Sequence, residues 1–229
     1  MDKKIKYSFV LAVFIGFSSL ITVQAQGDTD YGASFTFEVT KELNRFFRLN
    51  VDEEVRLVDN NRYKFDRSST TLGVDYEIIR SKMRTGVFYS FLYLYNSDYL
   101  FEARHRYFFH VSYKEEVGSF TLSWRGRFQS TVRDENRGAY KVNPKYILRN
   151  RIQAEYNIWK SRWVPFLSCE LANPLNDSRY DLNRIRIQGG TEYRLSRYTY
   201  LNAFLRYDTN FESGDHNRLI LGVGYRIKM

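Results

Sequence analysis

The strongest constraint on the fold is an alternation of polar and apolar residues that continues through most of the chain after residue 30. In residues 118–132, for example, Phe120 and Trp124 share one side of an extended backbone, whereas Arg125 and Arg127 lie on the other. Because successive side chains of a strand point to opposite faces, the pattern predicts strands with one apolar and one charged face. Most of the alternating segments run for about ten to thirteen residues, enough to cross a bilayer at a tilt, whereas strands of soluble domains average about five or six.

Eleven segments show this alternation, and each predicts a strand. They are residues 31–40, 45–57, 69–80, 84–95, 102–113, 118–132, 145–156, 163–172, 183–195, 199–208 and 217–228. The links between them alternate between short turns and longer polar stretches, as in outer-membrane barrels with short periplasmic turns and long extracellular loops. Bacterial single-chain barrels have even strand numbers, so we expect an all-β, antiparallel transmembrane β-barrel of twelve strands, one of them hidden in a long link. Ten strands is the alternative, if residues 31–40 lie outside the closed sheet.

The first twenty-five residues have the three parts of a secretory signal peptide. Three lysines among the first seven residues precede an almost wholly apolar stretch at 8–23, and Val23-Gln24-Ala25 provides small residues for cleavage before Gln26. A membrane-anchoring helix is the alternative, but the apolar stretch is short for the roughly 20 residues of a bilayer span. We therefore expect a cleaved signal peptide at 1–25, followed by one outer-membrane β-barrel domain at 26–229 in a Gram-negative cell envelope.

The composition agrees with a membrane barrel better than with a soluble domain. Aromatic residues make up 17% of the chain, including 19 Tyr and 18 Phe, yet 27% of the residues are charged and the mean hydropathy is −0.51. A barrel combines these properties because its outer face takes apolar and aromatic residues while its lumen is polar. The single cysteine, Cys169, excludes an internal disulfide, and it shares its strand phase with Leu167 and Leu171, so we expect it to face lipid.

The last predicted strand has apolar residues at alternate positions, namely Leu221, Val223, Tyr225 and Ile227. Outer-membrane barrels typically end in such a strand, usually with a terminal Phe, and their assembly machinery reads it. Here the last residue is Met229. We expect two partners from this arrangement: outer-membrane lipid around the barrel, and the barrel-assembly machinery through the C-terminal strand.

Five stretches carry a resemblance to a known family. They are EEVRL (Glu53 to Leu57), RHRYFF (Arg104 to Phe109), LRNRIQAEY (Leu148 to Tyr156), the stretch from Glu170 to Asn173, and RIRIQGGTEYRL (Arg184 to Leu195). With the order of elements around them, across nearly all of 28–229, the sequence resembles the family of uncharacterised bacterial outer-membrane proteins known as domain of unknown function 2490. The resemblance implies a barrel architecture and an envelope location, and it brings no established activity or catalytic residue.

The charged phase of the strands predicts a lumen lined by a ladder of charges. Its expected members are Arg104, Arg106, Arg125, Arg127, Arg149, Arg151, Glu155, Glu170, Arg184, Arg186, Glu192 and Arg194. In one interpretation these charges form cross-strand ion pairs that fill a narrow lumen and close it, since unpaired buried charges are expensive. In the other, the excess of arginine forms a channel for small anionic solutes, because arginine binds carboxylate and phosphate well and a one-sign lining attracts anions.

A non-enzymatic barrel is the main functional prediction, and a lipid hydrolase is an alternative. His110 and Ser112 share one strand face, and Glu102 lies earlier on the same strand, which provides a candidate base, nucleophile and orienting group. The pair resembles the His-x-Ser of lipid A deacylases, although the Asn that follows there is Tyr113 here. By phase, His110 and Ser112 point into the lumen, so a histidine within the charge network is the competing interpretation.

Other partners and cofactors find little support in the sequence. Three scattered histidines and one cysteine have no metal-ligand spacing, and no phosphate-binding glycine loop is present, so we expect no metal and no cofactor. The arginines alternate with apolar residues instead of forming a patch, which argues against nucleic acid. A surface barrel that binds a partner through links such as 58–68 and 132–144 is a further alternative.

A few residues do not follow the phase of their strands. Glu53 falls on the outward, apolar phase, which predicts a bulge or the start of the extracellular rim. Conversely, Phe88, Leu92, Leu94 and Phe108 fall on the inward phase, so we expect apolar side chains to plug part of the lumen.

Overall fold

A computed structural model describes residues 29–59, 63–95, 101–133, 142–177, 182–211 and 216–229. These ranges contain eleven strands: β1 Thr29–Glu42, β2 Phe47–Asp59, β3 Tyr63–Ile79, β4 Met83–Tyr95, β5 Phe101–Val117, β6 Phe120–Arg133, β7 Lys145–Tyr156, β8 Trp163–Pro174, β9 Arg184–Arg194, β10 Thr199–Asn210 and β11 His216–Lys228. No helix within them is long and apolar enough to cross a membrane. The predicted signal peptide at 1–25 lies outside the described residues.

The strands form one closed barrel. Each strand pairs antiparallel with the next, and the barrel closes where β1 pairs with β11 in parallel, from Thr29 opposite Asn217 to Thr40 opposite Lys228. All eleven predicted segments become strands, and the segment at 31–40 lies within the sheet as the middle of β1. The described barrel thus has one strand fewer than the twelve expected and one more than the alternative of ten, because a parallel closure joins an odd number of strands.

The connections between strands differ at the two ends of the barrel. At one end, which we call the short-turn end, the links are brief, and the shortest is Gly118-Ser119 between β5 and β6. Gly118 has a φ of 63°, a left-handed conformation that glycine adopts without steric cost. At the other end, the long-link end, the connections include residues outside the described ranges, so most of the predicted partner-binding link 132–144 lies beyond them. The link predicted at 58–68 is largely strand, because β3 already begins at Tyr63.

The outer face of the barrel is apolar over most of its height. Val87, Ile152 and Leu221 are 66%, 64% and 61% exposed. Cys169 is exposed as well, on the same side of β8 as Leu167. Aromatic side chains collect at both ends of this face. Examples are the Trp163–Tyr193 pair at the short-turn end and the Tyr93–Phe101 pair at the long-link end, with ring centroids 4.6 and 4.7 Å apart.

Glu53 is a carboxylate on this outer face, in the middle of β2. It pairs regularly with Thr70, and the register shift in β2 comes only at Arg56/Leu57, so Glu53 marks neither a bulge nor a rim. Its carboxylate accepts hydrogen bonds from the Ser68 and Thr70 hydroxyls at 2.6 and 2.5 Å. Two local hydroxyl donors therefore compensate for the apolar surroundings of this side chain.

Candidate functional site: the charged lumen

The barrel encloses a lumen cavity with a volume of about 1140 Å³. Its lining extends from Lys114 and Lys228 at the short-turn end to Arg104 and Asn183 at the long-link end. Sixteen arginines and three lysines line it, against eight inward-facing Asp and Glu residues. The described lumen is therefore a continuous, strongly charged space with an excess of positive charge.

Eleven of the twelve residues predicted for the charge ladder line this cavity. The exception is Arg194, the last residue of β9, which is exposed. Of the arginine pairs predicted on neighbouring strands, those on β6 and β7 face each other, with Arg125 opposite Arg151 and Arg127 opposite Arg149. The predicted stack of arginine pairs is thus present on those two strands, whereas on β5 and β9 most opposing residues are of other types.

The strand register arranges these inward side chains in rows around the barrel. One row, which we call the paired row, contains Arg125, Arg151, Glu170, Arg186 and Asp208. The next row toward the long-link end, which we call the arginine row, contains Arg127, Arg149, Ala172 and Arg184. The two rows lie on the same wall, but the carboxylates belong to only one of them.

Glu170 and Asp208 hold the paired row together. Glu170 is 5% exposed and accepts hydrogen bonds from Arg149, which reaches down from the arginine row. The Arg125 and Arg186 guanidiniums lie 3.6 and 4.0 Å from the same carboxylate. Asp208, which is 1% exposed, accepts a two-point hydrogen bond from Arg186 at 2.7 and 2.8 Å. Charges this deeply buried are tolerated because each has an opposite charge in contact.

Further ion pairs join β1, β2, β3, β9, β10 and β11. Glu54 accepts from Arg56 at 2.8 Å, from Arg206 at 3.2 Å and from the Ser34 hydroxyl at 2.9 Å. The Arg226 guanidinium, near the short-turn end, bridges Glu38 and Glu192 at 2.5 and 2.7 Å. Arg48 likewise contacts Glu42 and Glu77 at 3.0 and 3.1 Å. The Glu54–Arg206 bond and the two Arg226 bonds connect strands that are not neighbours in sequence, including β1 and β11 at the closure.

Three lumen arginines differ from those in the ion pairs. Within the described ranges, the guanidiniums of Arg106, Arg127 and Arg184 make neither a salt bridge nor a hydrogen bond, and the Nε of each is buried without a partner. Arg127 instead lies over the ring of Phe108, with its Cζ 4.1 Å from the ring centroid. Sequence phase predicts that all three point inward, but it cannot distinguish a partnered arginine from one without a partner.

Apolar side chains narrow part of the lumen. Phe88 and Phe108 stack with ring centroids 5.0 Å apart, and Leu92, further along β4, is almost fully buried, as their inward phase predicted. Phe204 and Ile220 are two further inward apolar residues, which were not predicted although they share the phase of Arg206 and Arg218. The Phe204 ring packs over Gly222, where an added Cβ would lie 2.0 Å from the ring.

Of the three residues considered for hydrolysis, His110 and Ser112 line the lumen. The Nε2 of His110 is 3.3 Å from the Asp75 carboxylate, and its ring packs against Phe88. The Ser112 hydroxyl donates to the backbone carbonyl of Arg84 at 3.4 Å, and Glu102 forms a two-point hydrogen bond with Arg104. Each of the three thus has a partner outside the proposed group. Among the described residues, no cluster of three or more His, Cys, Asp or Glu could hold a metal ion.

Fold and site together define a class: a closed β-barrel with an apolar outer face and a charged, arginine-rich lumen. Residues 32–217 match the model of the family described as protein of unknown function (DUF2490), and the chain belongs to this family. Among solved structures, the chain is similar to a NanC porin in a rhombohedral crystal form. The identity is 12% and the TM-score 0.48, with 82% of this chain and 90% of the porin chain covered. The search of curated proteins found no match.

Proposed function

We propose that this protein is a non-enzymatic outer-membrane barrel whose narrow lumen conducts small anions selectively. The observation that carries the proposal is the lumen cavity, which extends between the two ends of the described barrel and is lined by about twice as many cationic as acidic residues. A channel lined mainly by one sign of charge, with low-dielectric walls, concentrates ions of the opposite sign. Small anions are therefore the solutes that this lumen favours.

The charges are distributed unevenly around the lumen, so the electric field inside it has a direction across the barrel. Strands β1–β4 contribute four arginines and five inward carboxylates to the cavity, whereas β5–β9 contribute eleven Lys and Arg and three carboxylates. In a ring of eleven strands these two walls face each other. A solute between them meets a transverse field, which orients its negative end toward the β5–β9 wall.

The outer-membrane location is supported by the apolar outer face. Exposed contiguous apolar surface on this scale is rare in soluble monomers, whereas lipid covers such a surface in a transmembrane barrel. The predicted signal peptide at 1–25 would direct export, and the alternating apolar residues of β11 fit recognition by the barrel-assembly machinery. Both remain part of the proposal.

The position of His110 and Ser112 argues for a non-enzymatic role. Both side chains line the lumen, on the inner side of a wall whose outer side is apolar. A lipid substrate would have to leave the bilayer and enter a charged cavity to reach them. The His110 ring also contacts the Asp75 carboxylate, as expected for a histidine within the charge network.

The test is single-channel recording of the refolded full-length barrel in planar bilayers under a salt gradient. We expect anion-selective steps, and we expect weaker anion selectivity when Arg125 and Arg127 are both replaced by Gln. The control is Arg45→Gln, because Arg45 lies in the exposed turn between β1 and β2. Cation selectivity, or silence from a barrel shown to be folded by its heat-modifiable gel mobility, would overturn the proposal.

A further inference from the structure

We infer that the arginine row forms a discrete binding site for a small divalent oxyanion, such as inorganic phosphate or a dicarboxylate. Arg127, Arg149 and Arg184 belong to one row of inward side chains on β6, β7 and β9. Arg106 also points inward from β5, but register pairs it with Thr131, two inward positions from the row on the long-link side. Three guanidiniums therefore share one row of the wall.

The carboxylates near this region do not neutralise it. Glu170 is the counter-ion of Arg149, but it also serves Arg125 and Arg186. Asp208 bonds Arg186. No described carboxylate is within ion-pair distance of Arg106, Arg127 or Arg184, so mutual repulsion in a partly desolvated wall is uncompensated. A bound anion removes this repulsion.

The surroundings favour an oxyanion over a halide. Each arginine presents a planar fork of N–H donors that matches the paired oxygens of carboxylate or phosphate. Phe108 covers one face of the Arg127 guanidinium, which leaves the edge of that fork for a ligand. Ala172 precedes Arg184 in the row, and its small side chain leaves room beside that arginine. Arg149 already donates to Glu170 and Gln129, so the forks of Arg127 and Arg184, one on each side of Arg149, are the two left for an anion with two charges.

The inference rests on the proposed function in one respect: an anion must enter the lumen to reach this wall. The experiment is equilibrium binding to the refolded full chain in detergent micelles, by calorimetry and by the thermal unfolding midpoint. Phosphate, succinate, acetate and chloride are compared at matched ionic strength. We expect phosphate and succinate to raise the midpoint and acetate and chloride to have little effect. Phosphate acting alone would identify a tetrahedral anion, and succinate acting alone a dicarboxylate.

The variants are Arg127→Gln and Arg184→Gln. Each removes charge-assisted hydrogen bonds to the anion, so we expect the Kd to rise about tenfold or more. Arg127→Lys keeps the charge without the fork, so we expect an intermediate Kd. Arg45→Gln is the control with an unchanged Kd. In the absence of added anion, Arg127→Gln and Arg184→Gln should unfold at or above the parental midpoint, because each removes a repelled cation. This second readout separates lost binding from lost folding.

Two results would overturn the site. One is stabilisation by phosphate and succinate that equals the effect of chloride. The other is a parental Kd in both Gln variants. If either result is found in a barrel that conducts anions selectively, the binding site is wrong and the channel proposal stands. If the barrel binds dianions but does not conduct, the channel proposal is wrong and the binding site stands.

Discussion

Replacing Glu170 with Gln removes the carboxylate that three arginines share. Glu170 is 5% exposed, and Arg149, Arg125 and Arg186 all lie within 4.0 Å of it. Removing one partner of a buried ion pair costs about 3–5 kcal/mol, because the remaining charge is left buried without compensation. Arg186 keeps Asp208 as a partner, and Arg125 and Arg149 face the lumen cavity. We therefore expect the lower end of that range, about 3 kcal/mol.

The assay is urea unfolding of the refolded barrel in lipid vesicles, followed by tryptophan fluorescence and by heat-modifiable gel mobility. With an m-value of about 2 kcal/mol per molar urea, a loss of about 3 kcal/mol lowers the midpoint by about 1.5 M. The matched control is Glu116→Gln. The Glu116 side chain is 74% exposed and lies 3.6 Å from Lys114, so its charge should contribute about 0–1 kcal/mol.

A second substitution tests whether the lost stability comes from uncompensated charge. Arg149→Gln alone also breaks the pair, but in the Glu170→Gln background it removes a cation that has already lost its partner. The two changes together should therefore destabilise the barrel by less than the sum of the single changes. If Glu170→Gln and Glu116→Gln have the same midpoint, lumen water solvates Glu170 fully and the paired row does not stabilise the barrel.

Two further predictions concern the lumen and the outer face. Phe108→Ala should increase single-channel conductance, because it removes half of the Phe88–Phe108 stack that narrows the cavity. Phe109→Ala, on the outer face, is the control and should leave the conductance unchanged. Equal conductance in the two variants would show that the stack does not narrow the channel. The Cys169 thiol is exposed on the apolar outer face, so in vesicles it should react with a lipid-soluble maleimide and not with a membrane-impermeant one. Rapid labelling by the impermeant reagent would show that this surface is in contact with water.

The position and facing of the strands could be predicted from the sequence because both depend on local alternation. Trp124 and Arg125 are neighbours, yet Trp124 is 43% exposed on the outer face and Arg125 lines the lumen, as the pattern predicted. The same phase rule would have found Phe204 and Ile220, since they alternate with outward residues in step with the charged positions of β10 and β11.

Strand number and closure could not be predicted in this way. The pairing of β1 with β11 joins residues such as Thr29 and Asn217, which are separated by most of the chain. No local pattern specifies a partner at that distance, and the even-number rule describes barrels whose closing strands are antiparallel. Parallel closure also brings the start of β1 to the long-link end, beside the start of β11, while β11 ends near the short turns.

Arg184 and Arg186 show most clearly what register adds to sequence. They lie two positions apart on one strand, with the same phase and the same side chain, so the sequence treats them as equivalent. Register places Arg186 between Glu170 and Asp208, and Arg184 between Ala172 and Asn210. A single row therefore separates an arginine held by carboxylates from one without them. In the proposed function, the two interpretations that the sequence left open, a closed network of ion pairs and an anion channel, apply to different rows of the same wall. We infer that the paired row stabilises the barrel, which allows the arginine row to keep its charge for a solute.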